Sequence, residues 1–307
     1  MRIVFFGTPA FAVPSLEALL AEPGAVVGVV TQPDRPQGRS RSTLVAPPVK
    51  ELALRHGIPL LQPERPTGDI FLAALRHWQP ELGIVVAYGH ILRADVLSVP
   101  TRGMINLHAS LLPRLRGAAP VPWAILRGEP ETGVTIQQMD TGMDTGPILH
   151  QSATAIQPGE TGGALLDRLA RLGAEALVEA LALMRLGLLR PREQDPALAT
   201  YAPKFDRTTT RVNWTSDAEE VARRIRAFDP LPGAWTTLDQ QELKLFGASP
   251  AEGSGVPGTV LAMTPRLRVA AGDQAVEIGE VQPAGKSRMA SGEWGRGRPG
   301  RAGLALV

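Results

Sequence analysis

Ile3-Val4-Phe5-Phe6-Gly7 is a short, unbroken apolar run that ends on a glycine. A helical stretch from Pro14 to Ala21 follows, closed by Pro23-Gly24, and a second apolar run spans Val26 to Thr31. Outward from this unit the pattern repeats. Val49 to His56 reads as a helix stopped by Gly57, and Asp69 to Trp78 as another. Gly83 to Ala87, Met104 to His108 and Val134 to Met139 read as further strands. A strand with one wet face alternates apolar and polar residues; continuous apolar runs belong to strands covered on both faces. Such strands alternating with helices predict an α/β, Rossmann-like domain built on a mostly parallel sheet. Gly162 to Leu186 predicts a long amphipathic helix capping it.

The pattern breaks between Leu189 and Thr210, where Pro191, Pro196 and Pro203 lie among scattered charges. A chain of 307 residues suits two cores better than one. The expected division is a first domain over residues 1–189, a linker over 190–208 and a second domain over 209–307. The second begins with a helix near Asp217 to Phe228. Short strand-like pieces follow at Ala234 to Leu238, Glu242 to Phe246, Gly258 to Met263, Leu267 to Ala270 and Ala275 to Val281. Turn residues separate them, which predicts a smaller, OB-like β-barrel. The Gly/Arg-rich tail from Gly292 is expected to be loosely ordered.

Composition removes several kinds of chemistry. The chain has no cysteine, which excludes disulfides, thiolate catalysis and cysteine-ligated zinc or iron–sulfur. His56, His77, His90, His108 and His150 form no His-x-x-x-His pair, and no metal is expected. No apolar stretch approaches the ~20 residues that cross a bilayer, and the first residues do not read as a signal peptide. A cytoplasmic, monomeric protein without membrane contact is expected. The net charge of +2 says nothing about nucleic acid, but two basic runs stand out. One holds Arg35, Arg39 and Arg41; the other holds Lys286, Arg288, Arg296, Arg298 and Arg301 against Glu293. Solvated surface is the plain reading of both.

Three motifs fail on context. Gly295-Arg-Gly-Arg-Pro-Gly300 matches a dinucleotide fingerprint, yet it follows no βα turn and contains Pro299. Gly279 and Gly285-Lys286-Ser287 miss a phosphate loop by one residue of spacing. Ser110 lies beside His108 without a Gly-x-Ser-x-Gly elbow around it.

Asn106 is one of only two asparagines, and it sits inside an apolar strand where asparagine is disfavoured. Strand side chains alternate, so Asn106 and His108 share one face while Ile105 and Leu107 take the other. An amide and an imidazole thus stand together at the carboxyl end of a parallel strand, where open α/β sheets place their crevices. A satisfied buried Asn–His pair fits equally well. Asp140-Thr141-Gly142-Met143-Asp144-Thr145-Gly146-Pro147 forms a loop directly after the Val134–Met139 strand. Asp144 either makes a local turn hydrogen bond or partners His108, complementing the charged ring and fixing its orientation.

Asn106, His108 with Ser110-Leu111-Leu112-Pro113 behind it, and Asp144 in its loop resemble the centre of the folate-dependent formyltransferases. Further blocks are similar to one family among them, the methionyl-tRNA formyltransferases. These blocks are Phe6-Gly7-Thr8-Pro9, Gln32-Pro33-Asp34-Arg35-Pro36 with Gly38-Arg39, and Val86-Ala87-Tyr88-Gly89. Arg116-Gly117-Ala118-Ala119-Pro120, Glu131-Thr132-Gly133-Val134-Thr135, Ile225-Arg226-Ala227-Phe228 and Gln282-Pro283-Ala284-Gly285-Lys286 extend the likeness almost end to end.

The resemblance implies 10-formyltetrahydrofolate as donor and methionyl initiator tRNA as acceptor, in support of translation initiation. It implies that Asn106 and His108 donate hydrogen bonds to the formyl oxygen and that Asp144 serves His108 and the amine. It places folate against Val86, Ala87, Tyr88 and Gly89 and against Ser110, Leu111, Leu112 and Pro113; Leu111 and Leu112 read equally well as core. The loop from Pro33 to Pro47 resembles a tRNA-inserting loop, with Arg39 after its glycine and Arg41 nearby. Ser40-Arg41-Ser42-Thr43 departs from the shorter lysine-rich run usual there. Lys286 and Arg288 are expected at the tRNA backbone. The rivals are formyl transfer to glycinamide ribonucleotide or an amino sugar, a folate hydrolase with water in place of the amine, and a non-catalytic RNA-binding module.

Overall fold

The computed structural model describes residues 1–37, 43–296 and 303–307. The chain forms two compact units. The first comprises residues 1–117, 132–154 and 167–201, and the second 118–131, 155–166 and 202–307. Of the segment expected as a linker, residues 190–201 thus pack with the first unit and 202–208 with the second.

The first unit is built on β1 (Ile3–Gly7), β2 (Val26–Val30), a small ribbon of β3 (Arg35–Gln37) and β4 (Thr43–Val45), then β5 (Leu60–Leu61), β6 (Leu82–Val86), β7 (Met104–His108), β8 (Glu131–Gln138) and β9 (Ile148–Ala155). Seven of these make one sheet in the order β5-β2-β1-β6-β7-β8-β9. Helices α1 (Val13–Leu20), α2 (Pro48–Arg55), α3 (Asp69–His77), α4 (Ala94–Leu97), α5 (Pro120–Leu126) and α6 (Gly162–Arg185) complete the chain to this point, of which α5 and residues 162–166 of α6 belong to the second unit. Every residue of β1 and β6 is buried, as continuous apolar strands require. β1 pairs in parallel with β2 on one side and β6 on the other. The chain order therefore reverses between β1 and β6, and the carboxyl ends of those strands flank a switch-point crevice.

β7 runs parallel to β6 but antiparallel to β8, so the parallel pattern ends at β7. In that antiparallel pair Asn106 lies opposite Gln137 and His108 opposite Thr135. Directly opposed residues share a face, so all four side chains leave the sheet on the same side. Leu107 takes the other face, where its side chain packs closely on Gly173 of α6. The sequence reading missed β3, β4, β5, β9, α4 and α5. β9 carries the polar stretch Gln151-Ser152 and α4 has only four residues, so neither shows a resolvable period.

The second unit contains α7 (Ala218–Ala227), β10 (Ala234–Leu238), β11 (Gln241–Ala251), β12 (Val260–Ala262), β13 (Leu267–Ala270), β14 (Ala275–Pro283), β15 (Met289–Ala290) and α8 (Ser291–Arg296). The expected barrel is an antiparallel half-barrel of order β10-β11-β14-β13-β12, with β15 added to β14. Asp217 caps α7 by accepting the Glu220 amide at 2.6 Å. Val221, Ala222 and Ile225 then enter a core with Leu243, Leu245, Val276 and Ile278.

The expectation of a loose tail from Gly292 is corrected. Residues 291–296 are helical, Trp294 and Leu306 are buried in the same core, and the Val307 carbonyl accepts the Thr237 amide at 2.8 Å. Two large apolar side chains outweigh the high glycine content around them. Residues 297–302 lie outside the described residues.

Gly28 sits in the middle of β2, and a methyl group there would meet the Trp78 ring at 2.3 Å. Gly28→Ala forces that ring away from the sheet. Its expected cost is about 1–3 kcal/mol, read as a lower urea midpoint for the first unit at an unchanged m-value.

Candidate active site

The site grows from the carboxyl end of β7. His108 is buried, at 7% side-chain exposure. Its Nε2 lies 2.9 Å from the Leu115 carbonyl. A carbonyl only accepts, so Nε2 carries a proton and donates it there. This leaves the Nδ1 edge of the ring facing Asp144, with Nδ1 3.6 Å from Oδ1. That separation is an ion-pair distance and too long for a direct hydrogen bond. The ring is thus oriented chiefly by the Leu115 carbonyl, where the sequence reading assigned that task to Asp144.

Asp144 is held from several directions. Its Oδ2 accepts the Gly117 amide at 2.8 Å, and its Oδ1 accepts the Gln137 amide nitrogen at 2.9 Å. Its backbone is left-handed, with φ of 56°. It is not confined to a local turn bond. The antiparallel register explains the gathering: Gln137 faces the same side as Asn106 and His108, and reaches the carboxylate that flanks His108. Asn106 is half-buried, and its side-chain amide forms no hydrogen bond within the described residues. The site therefore presents an unspent amide, an imidazole with one free edge and a carboxylate, all from residues of the first unit.

The two segments expected to meet folate differ in exposure. Val86 ends β6 and is buried, whereas Ala87 and Gly89 are exposed and both have positive φ, 47° and 90°. Tyr88 between them turns inward, packing edge-on against Phe6 with ring centroids 5.4 Å apart. Burial pushes its hydroxyl pKa up to about 12, so it stays a neutral phenol at any working pH. Ser110 is buried and donates to the Arg114 carbonyl at 2.7 Å. The Leu112 amide donates to Thr135 Oγ1 at 3.1 Å, and that hydroxyl donates to the Ser110 carbonyl at 2.6 Å. Leu112 is core, while Leu111 and Pro113 remain partly exposed. The surface these segments offer consists of Ala87, Gly89, Leu111 and Pro113.

The residues expected at tRNA fall in three places. Arg39 and Arg41 lie outside the described residues. The base of their loop is described: β3 and β4 pair antiparallel, and Asp34 is clamped by Lys50 at 2.7 Å and Gln62 at 2.8 Å. The Lys50 and Gln62 hydrogen bonds hold the Asp34 carboxyl below its ordinary pKa. Lys286 is exposed in the turn after β14. Arg288 bonds to Asp229 and Glu280, both at 2.8 Å, and lies 4.0 Å over the Phe246 ring. Burial works to lower the pKa of its guanidinium, but the bonds to Asp229 and Glu280 outweigh that and leave it raised.

Sequence reasoning did not single out Gln137, Gln194, Thr200 or the Leu115 carbonyl. Thr200 Oγ1 accepts the Leu115 amide at 2.9 Å and its carbonyl accepts the Arg116 amide at 2.8 Å, which fixes the segment that meets both His108 and Asp144. A backbone acceptor has no sequence signature. The strand position of Gln137, opposite Asn106, was the one available signal. Among the described residues no group of three or more His, Asp or Glu could hold a metal ion, and no helix is long and apolar enough to cross a membrane.

Known proteins match both units. The family described as formyl transferase matches residues 1–181, and its C-terminal domain matches residues 204–299. The methionyl-tRNA formyltransferase of Pelobacter propionicus is 47% identical over 99% of this chain and 95% of its own length. That of Myxococcus xanthus is 48% identical over 96% and 95%. Among solved structures, an N-formyltransferase from Helicobacter canadensis in complex with folinic acid and dTDP-3-aminofucose superposes with a TM-score of 0.70. It is 18% identical and covers 92% of this chain and 99% of its own. HypX from Aquifex aeolicus in complex with tetrahydrofolic acid superposes with a TM-score of 0.68 at 22% identity, over 96% of this chain and 46% of its own. These two share the fold. The full-length identities go further: this chain belongs to the methionyl-tRNA formyltransferase family.

Proposed function

We propose that the chain transfers the formyl group of 10-formyltetrahydrofolate to the α-amino group of methionyl initiator tRNA, the step that prepares the initiator for translation. One observation carries this reading. An unspent amide and a half-anchored imidazole share one face at the end of β7, and the Asp144 carboxylate lies 3.6 Å from that imidazole, in a chain of this family.

The amine attacks the formyl carbon. The bond from that carbon to the folate nitrogen breaks as the tetrahedral adduct collapses, and that nitrogen leaves carrying a proton. The protein's task is to stabilise the charge that grows on the formyl oxygen. The Asn106 amide has its donors unspent and points from the same face as His108, so it donates to that oxygen. His108 adds a second donor from its Nδ1 edge, because Nε2 is committed to the Leu115 carbonyl. Asp144 balances the proton on that edge and accepts the amine's proton, directly or through one water. Its carboxylate carries two protein donors and has lone pairs to spare.

Folate fits the polar–apolar surface of Ala87, Gly89, Leu111 and Pro113, with Val86, Tyr88, Ser110 and Leu112 supporting it from behind. The first domain, residues 1–189 with the 190–201 part of the expected linker packed on it, carries the chemistry, and residues 209–307 hold tRNA. Arg39, Arg41 and Lys286 meet phosphates. Arg288 already has two carboxylates and serves mainly to steady the turn that carries Lys286. The protein acts as a cytoplasmic monomer.

Asn106→Ala and Asp144→Asn each lower turnover by on the order of a hundredfold while the fold survives, the usual consequence of losing one such group. The measurement is transfer from labelled folate to charged initiator tRNA, with elongator tRNA and amino sugars as control acceptors. Near-normal turnover in both variants overturns the assignment. Arg39→Ala and Lys286→Ala raise KM for tRNA, leave folate affinity alone and each reduce the salt slope of binding by about one. A folate defect without a tRNA defect contradicts this division.

A further inference from the structure

Arg116 is buried, at 5% exposure, and among the described residues no carboxylate pairs with it. A buried guanidinium is ordinarily paired with an anion. This one spends Nε and Nη2, at 3.1 and 2.7 Å, on the amide oxygen of Gln194. A guanidinium can only donate, so the orientation of the Gln194 amide is decided: its oxygen faces Arg116 and its nitrogen faces away. That nitrogen donates to the Asp144 carbonyl at 2.9 Å and the Gly146 carbonyl at 2.7 Å. A weaker contact at 3.4 Å reaches the oxygen of Gln137, whose own nitrogen donates to the Asp144 carboxylate.

The hydrogen bonds of this network converge on the loop that carries Asp144 and Gly146. One branch holds its backbone, and the other reaches the Asp144 carboxylate. Asp144 needs such a hold, because its left-handed backbone is disfavoured for any residue with a side chain. Arg116 also lies between Leu115, which anchors the His108 ring, and Gly117, which donates to Asp144. Three consecutive residues thus tie both ionisable members of the site to one buried network. In the mechanism above neither Arg116 nor Gln194 touches substrate.

We infer that Arg116 and Gln194 are positioning residues, a cation-oriented amide that fixes the Asp144 loop in the conformation formyl transfer requires. The inference rests on the functional reading above. It assigns a catalytic consequence to the 190–201 stretch, which composition marks only as a linker.

Two variants test it. Gln194→Glu keeps an oxygen for Arg116 and adds an ion pair, so the fold is retained, but its second oxygen opposes the two carbonyls. Gln194→Met keeps the shape and removes all the hydrogen bonds. Both are expected to lower kcat on the order of a hundredfold, as an ångström-scale misplacement does. KM for folate and tRNA should stay within about twofold, the pattern of a loss confined to the transition state. The Gln194→Glu deficit should narrow as pH falls, because the introduced carboxyl becomes a donor once protonated, whereas the Gln194→Met deficit should be flat with pH. Wild-type kcat in both folded variants overturns the inference, as does a loss of activity that merely tracks the loss of folate-binding protein. An inactive wild-type protein in the same assay instead removes the functional reading itself, so the two failures are distinguishable.

Discussion

The carbonyl of Leu115 can only accept, and it lies 2.9 Å from Nε2 of His108. The rest of the site follows from that pairing. With one ring nitrogen committed, the uncommitted edge is the one that faces Asp144. Leu115 itself adopts a left-handed backbone, with φ of 57°, and its amide is taken by Thr200. An acceptor on a strained turn is reliable only when its neighbours over-determine it. Here the following two residues do so: Arg116 reaches Gln194, and Gly117 reaches Asp144.

The reversal of strand direction at β7 matters as much. Had β8 run parallel to β7, its side chains would have entered the site in a different register. The antiparallel pairing sets Gln137 directly across from Asn106 and Thr135 across from His108. Gln137 then secures the carboxylate, while Thr135 ties the turn after His108 through Leu112 and Ser110. The apolar face of the same strand, through Leu107 against Gly173, fixes β7 in the core. Packing on one side gives the polar residues on the other a rigid base. Preorganised donors of this kind need not reorganise when charge develops on the substrate.

The second unit keeps its charges largely balanced. Arg288 answers to Asp229 and Glu280, Arg207 to Glu242, and Arg226 to Glu219. The Arg207 pair is largely exposed and adds little stability, whereas Asp229 and Arg226 are buried and their partners offset the cost of that burial. Among the described residues the Lys286 side chain makes no ion pair, and the tRNA contact proposed for it rests on that. Counting arginines along the tail treats Lys286 and Arg288 as equals. Their surroundings separate them.

Much of this was legible in residue order. Continuous apolar runs such as Ile3 to Phe6 and Gly83 to Ala87 announce strands buried on both faces, because period and burial are local properties of the chain. Asn106 was conspicuous as a polar residue in such a run, and alternation put it beside His108. Three things were not legible. The sequence does not say which carbonyl takes the His108 proton, since all carbonyls read alike. It does not show that Gln194, in a proline-rich stretch, returns to the Asp144 loop. Nor does it show that Trp294 and Leu306 anchor a glycine-rich tail. Each depends on contacts between residues far apart in the chain, and such contacts exist only once the sheet has set its register. Local pattern determined the elements and the candidate polar groups; long-range packing decided which atoms of those groups remain uncommitted.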